Sequence, residues 1–172
     1  MELTRDLFIP CIDTSKGSGT ANYVPIDLST VFEFAYNPNT ETVSYICYKH
    51  DTTRVTAYNP TMSQEIVLDN TNAMYKFMSE FLADYPVGSS AELPVLLIRP
   101  DLTSGKPTVG ELWPKCVVVG NTLNTVDGKL SFDLNFNGDY QKGTVAGVGT
   151  NKITFTPAAS QAASDGGKAV KA

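Results

Sequence analysis

Between residues 131 and 137 the chain alternates strictly, with Phe132, Leu134 and Phe136 on one face of a two-residue period and Asp133, Asn135 and Asn137 on the other. That is the pattern of a strand with one face in a core and the other kept polar. Asn137-Gly138 supplies the positive φ of a tight hairpin, so residues 131–145 predict a strand, a turn and a returning strand. Similar short runs recur at 23–36, 43–48, 54–58, 62–68, 93–99, 109–113, 115–120, 129–136, 143–148 and 152–155. Asn37-Pro38-Asn39, Pro60, Pro100, Pro107, Pro114 and Gly128 punctuate them. One stretch has a helical period instead: Ala73, Met74, Phe77, Met78, Phe81, Leu82 and Tyr85 recur at three- and four-residue steps. It predicts one amphipathic helix of about four turns, capped by Asp69 or Asn70, stopped by Pro86, and packed through Met74, Phe77, Met78, Phe81 and Leu82. The fold class that follows is mainly β, a sandwich or half-barrel of antiparallel strands carrying one α-helix.

The two ends differ from this body. Residues 1–22 hold Pro10, Gly17, Gly19 and a Ser/Thr/Lys cluster behind a short apolar patch, and are expected as an N-terminal arm. Residues 23–157 are expected as the β domain. Residues 158–172 are Ala, Ser, Gly and Lys with no apolar face, and are expected as a flexible tail. A chain of 172 residues suits one domain that buries roughly two thirds of its unfolded surface. No run approaches the roughly 20 apolar residues of a membrane span, and no secretory core opens the sequence, so the expected place of synthesis is a cytoplasm.

Charge narrows the function classes. The formal net charge is −5, and a body of that sign does not seek nucleic acid. Charged residues are 18% of the chain, few for a monomer that floats free, so much of the surface is expected to be covered by other protein. Catalytic chemistry finds little support. His50 is the only histidine, and Cys47 with His50 has the spacing of half a metal site that Cys11 and Cys116 would have to complete. In an extended segment Cys47 and His50 point to opposite faces, and no second close ligand pair exists. No glycine-framed elbow surrounds a serine or cysteine, and the glycines from Gly143 to Gly149 do not open a helix as a phosphate loop does. The three cysteines are expected as buried thiols, and no cofactor, metal or enzymatic activity is expected.

From residue 31 to 157 the chain resembles the tail tube, or major tail, proteins of long-tailed bacteriophages, whose fold is shared with the inner tubes of contractile tails and type VI secretion machines. Three stretches carry the likeness: FEFAYNPNTETVSYICYKHDTTRVTAYNPTMSQEI at 32–66, LDNTNAMYKFMSEFL at 68–82, and SFDLNFNGDYQKGTV with ITFTP at 131–145 and 153–157. They match the family's opening hairpin and return strand, its polar step into a single helix, and its closing strands. The resemblance implies a virion tail protein made in the cytoplasm of a bacterial host. It implies subunits that close into six-membered rings and stack into a hollow tube for genome delivery. Its partners would be other copies of itself and the tape-measure, terminator and distal tail proteins, with double-stranded DNA passing as transient cargo. Asp133, Asn135 and Asn137, with Glu33, would line the bore, where carboxylates and amides leave phosphate ungripped. Lys49, His50, Asp51, Thr52 and Thr53 would reach the next ring, and the helix would pack outside the barrel. The alternatives are a monomeric β-sandwich module that binds carbohydrate or a cell surface through an exposed aromatic platform, and a hydrolase whose pocket converges on His50.

Overall fold

The structure, a computed structural model, describes residues 3–159. Its elements are β1 (Ile9–Asp13), β2 (Tyr23–Pro25), β3 (Glu33–Ala35), β4 (Pro38–Val43), β5 (Thr52–Tyr58), β6 (Thr61–Val67), α1 (Ala73–Ala83), β7 (Glu92–Pro100), β8 (Pro107–Asn124), β9 (Lys129–Asn137), β10 (Gln141–Ala146) and β11 (Thr154–Pro157). Nine strands form one antiparallel sheet in the order β2-β1-β7-β8-β9-β6-β3, with β10 joined to β8 and β11 to β10, and β4 and β5 form a separate ribbon.

The central strand β7 reads Leu93, Val95, Leu97 on one face and Leu96, Ile98 on the other, the near-continuous apolar run of a strand buried on both sides. The first set joins Ile12, Met62, Ile66, Val118, Leu130, Phe132, Leu134 and Phe136 in a large core beneath the helix. The second set joins Cys11, Val145 and Ile153 in a smaller core, with Tyr23 and Phe155 packed against it. Strands β10 and β11 therefore curl over one half of the second sheet face and leave the half formed by β3, β6, β9 and the end of β8 open. In α1, Met74, Met78 and Phe81 are buried, and Phe77 and Leu82 pack against the same large core. Burying each such side chain is worth about 1.5–3 kcal/mol.

Asn72 caps α1 by accepting from Tyr75 N at 2.9 Å. Asp69, an expected cap, instead accepts from the backbone and hydroxyl of Thr71 at 2.8 and 2.7 Å, closing the turn before the helix. The helix has 11 residues, about three turns, one fewer than its apolar spacing predicts. Tyr85 leaves it with φ 50°, in the left-handed region usually left to glycine.

Four expectations are corrected. Residues 109–113 and 115–120 are not two strands: β8 runs for 18 residues through Pro114. The register passes from Leu93↔Cys116 to Val95↔Trp113, so Pro114 and Lys115 together oppose Pro94, and this bulge absorbs the missing N–H. Second, residues 131–145 are not a hairpin. β9 pairs with residues 115–124 of β8, and β10 pairs with residues 109–112 on the same edge. The Asn137-Gly138 segment is a jog that carries the chain past Pro114. Third, the stretch expected as an arm contributes β1 to the sheet, with Cys11 and Ile12 fully buried, because its short apolar patch is long enough to pair with β7. Fourth, residues 23–36 are not one strand but β2 and β3, separated by residues that lie along the edge of β6 through Thr30 N to Glu65 O at 2.9 Å. Of the tail expected at 158–172, residues 160–172 lie outside the described residues.

Candidate functional site

The most unusual part of the molecule is the ribbon of β4 and β5. Every residue of it is exposed except half-buried Val43. A two-stranded ribbon without a hydrophobic face packed on anything is marginal in water. Its internal supports are weak: the exposed Glu41–Arg54 pair at 2.6 Å and a Thr42–Thr53 hydroxyl contact at 3.0 Å. The connecting residues 44–51 hold Tyr45, Ile46 and Tyr48 at 50%, 108% and 65% exposure. Tyr36 and Tyr58 flank its base, also exposed. Lys49, His50 and Asp51 lie in this tip, where Ser44 donates to Asp51. Thr52 and Thr53 begin β5, opposite Val43 and Thr42. The polar residues expected to reach a neighbouring ring, Lys49 to Thr53, share this end of the ribbon with Tyr45, Ile46 and Tyr48, which the pattern over 43–48 assigns to a strand. The signal against a strand there is three large apolar side chains in a segment with no sustained two-residue period.

The second feature is the open half of the sheet. Register places Glu33 opposite Ser63, Ser63 opposite Asp133 and Asp133 opposite Val119, while Ala35, Thr61, Asn135 and Val117 form the next row. Glu33, Asp133 and Asn135 thus share one face, with Glu33 and Asp133 two strands apart, about 10 Å. Asn137 lies exposed at the end of the same face. Asp133 accepts from Asn121 Nδ2 at 2.8 Å. Glu65 on this face receives Lys129 Nζ at 2.5 Å and the Thr30 hydroxyl at 3.0 Å. Lys129 first, then Thr30, hold the Glu65 carboxyl below its ordinary range. The face is polar, hydrogen-bonded and carries more carboxylates than its lysines, Lys115 and Lys129, offset.

The third feature is an unpaired edge. β7 covers β8 only as far as Val117, and residues 118–124 have β9 on one side and no strand of the described residues on the other. Beside that edge, between it and the end of α1 with the following segment, runs a groove of about 1050 Å³.

The residues that catalysis or a metal would need are dispersed. Cys11 and Cys116 are buried in the two different cores, and Cys47 is exposed in the ribbon tip, against the expectation of three buried thiols. Burial pushes the Cys11 thiol up to about 12 and the Cys116 thiol higher still. Among the described residues no three His, Cys, Asp or Glu side chains gather as a metal site, and no helix is long and apolar enough to cross a membrane. Tyr45 and Tyr48 in the ribbon tip meet edge to face at 86°, so this pair offers no flat platform for a sugar.

No protein-family profile matches the sequence, and no curated protein matches it. Solved structures do. The chain is similar to the sheath/tube terminator of an extracellular contractile injection system, PVC, in its extended state, with TM-score 0.52 and 4% identity over 83% of this chain and 96% of that one. It is also similar to a chain in the tail of an empty GTA particle of C6 symmetry, with TM-score 0.54 and 14% identity over 81% and 97%. The fold of this protein is that of structural components of tails and injection systems.

Proposed function

We propose that this chain is a structural tail protein, a tube subunit that closes into six-membered rings and stacks them into a hollow conduit for a genome. The observation that carries this reading is the exposed β4–β5 ribbon with its apolar tip, joined in one protomer to the uncovered edge of β8. A ribbon that cannot stabilise itself and a strand edge without a neighbour are complementary needs, and identical copies related head to tail meet both. The C6 symmetry of the GTA tail, to which the fold is similar, supports a ring of six.

In such a ring the open half of the sheet, with Glu33, Asp133 and Asn135, and Asn137 at its rim, faces the bore. Its carboxylates and amides repel or ignore phosphate, so duplex DNA slides without counterion release holding it. Lys49, His50 and Asp51 in the ribbon tip, with Thr52 and Thr53 at the start of β5, lie where contact with a neighbouring ring would be made. The natural partners are other copies of the chain and the other proteins of a tail, in a virion assembled in a bacterial cytoplasm. The likeness to a sheath/tube terminator favours one variant, a single ring that ends a tube and does not extend it.

Sedimentation and negative-stain microscopy of the purified chain at rising concentration test the reading. Stacked rings or filaments are expected. Rings that never elongate would select the terminator variant, and a monomer at every concentration would remove the proposal.

A further inference from the structure

The groove beside residues 118–124 of β8 has a wall unlike the rest of the surface. Leu82 lies against Gly120, so close that a Cβ there would meet it at 2.9 Å. Tyr85, Val87 and Leu123 line the groove at 85%, 79% and 61% exposure. Tyr85 is held there by a backbone conformation that costs a non-glycine residue of order 1 kcal/mol or more, and such outliers persist where the surroundings, or a function, require them. The one carboxylate in the wall is Glu92. Contiguous apolar surface of this kind, bordered by a strand edge with free N–H and C=O groups, is a docking surface.

The occupant is argued from the same molecule. Tyr45, Ile46 and Tyr48 form an exposed apolar knob with nothing packed on it, and Lys49 follows immediately. Apolar knob matches apolar groove, and the Lys49 ammonium matches the Glu92 carboxylate. The two patches are unlike and lie at different places in one chain, which is the requirement for a heterologous, self-propagating contact. Resting on the tube reading, we infer that the ribbon tip of one copy, Tyr45 to Lys49, seats in the groove between α1 and the free edge of β8 of a second copy. Tyr45, Ile46 and Tyr48 enter the apolar wall, and Lys49 faces Glu92. It is the apolar half of the tip that anchors the copies; the polar half sets orientation.

Cys47 makes the test direct, since it sits inside the knob and is the exposed thiol among the three cysteines. One exposed thiol per chain allows mild oxidation to form nothing larger than a dimer. Adding a second in the groove, by Ser89→Cys or Ser79→Cys, allows head-to-tail linkage, so a ladder well beyond the dimer is expected on a non-reducing gel. Cys47→Ser in the same background should abolish the ladder, and Asn151→Cys, exposed and outside the groove, should not produce one. Assemblies visible by microscopy without a ladder from either groove position would overturn the pairing and leave the tube reading intact. A ladder of equal extent from Asn151→Cys would overturn it as non-specific linkage. Absence of any assembly in the unsubstituted chain would sink the tube reading and this pairing together.

Discussion

Replacing Ile46 by serine separates assembly from folding. Ile46 is 108% exposed, so the protomer loses no buried contact, and a surface change of this kind moves stability by no more than about 0.5 kcal/mol. For a chain of this size that is roughly 2 °C in Tm. On the proposed pairing the same side chain is enclosed by a neighbour, and full burial of an isoleucine is worth about 1.5–3 kcal/mol. At 1.4 kcal/mol per tenfold, losing that contact once per subunit raises the concentration needed for assembly roughly 10- to 100-fold. A dilution series analysed by sedimentation reads this concentration, and calorimetry on the dilute protein reads Tm. An unchanged assembly concentration would show that the tip touches no neighbour. A Tm lower by many degrees would show that the tip supports its own protomer, and the argument from an unsupported ribbon would fail.

Three further substitutions test other parts of the account. Gly143 faces Gly110 across β8 and β10, and a Cβ on Gly143 would strike the carbonyl of Thr156 and meet the Phe155 ring at 2.7 Å. Gly143→Ala should therefore cost about 1–3 kcal/mol of overpacking, seen as a fall of roughly 2–10 °C in Tm, and an unchanged Tm would refute the close packing of β11 on this pair. Gln64 is 1% exposed among the core side chains of β6, and neither polar atom of its amide has a partner. Gln64→Met keeps the shape and removes the desolvation cost, so denaturant unfolding should show a gain of about 1–3 kcal/mol, and a loss would mean that the amide is satisfied in solution. Asp133→Lys replaces a carboxylate by an ammonium, a change of +2 per copy on the open sheet face; assembled tubes should then retain duplex DNA at low salt and release it at high salt, and equal retention by the unsubstituted tubes would remove this face from the bore.

The parts of the fold that were legible in the sequence are those fixed by local periodicity. The apolar spacing of Met74, Phe77, Met78 and Phe81 located α1, and the alternation of Phe132, Leu134 and Phe136 gave both the strand and its buried face. The parts that were not legible depend on partners remote in sequence. Asn137-Gly138 is a strong hairpin signal, but β9 and β10 meet opposite ends of one long strand instead of each other, and nothing local reports the length of β8. Pro114 reads as a strand terminator because its missing N–H breaks a ladder, yet a bulge opposite Pro94 accommodates it. β4 has no apolar period because neither of its faces is buried in the protomer. Glu33, Asp133 and Asn135 were readable as a polar face, whereas the free edge of β8 and the groove beside it, where the proposed pairing lies, follow only from β7 stopping at its pairing with Val117.

Amide hydrogen exchange on the protein before and after assembly shows whether copies complete one another through these strands, β5 and β8. Residues 118–124 on the uncovered side of β8, and the outward-facing amides of β5, should exchange rapidly in the isolated protomer and become protected by orders of magnitude in the assembled form. Protection already complete in the protomer, or an assembled form in which both segments still exchange freely, would contradict completion by another copy.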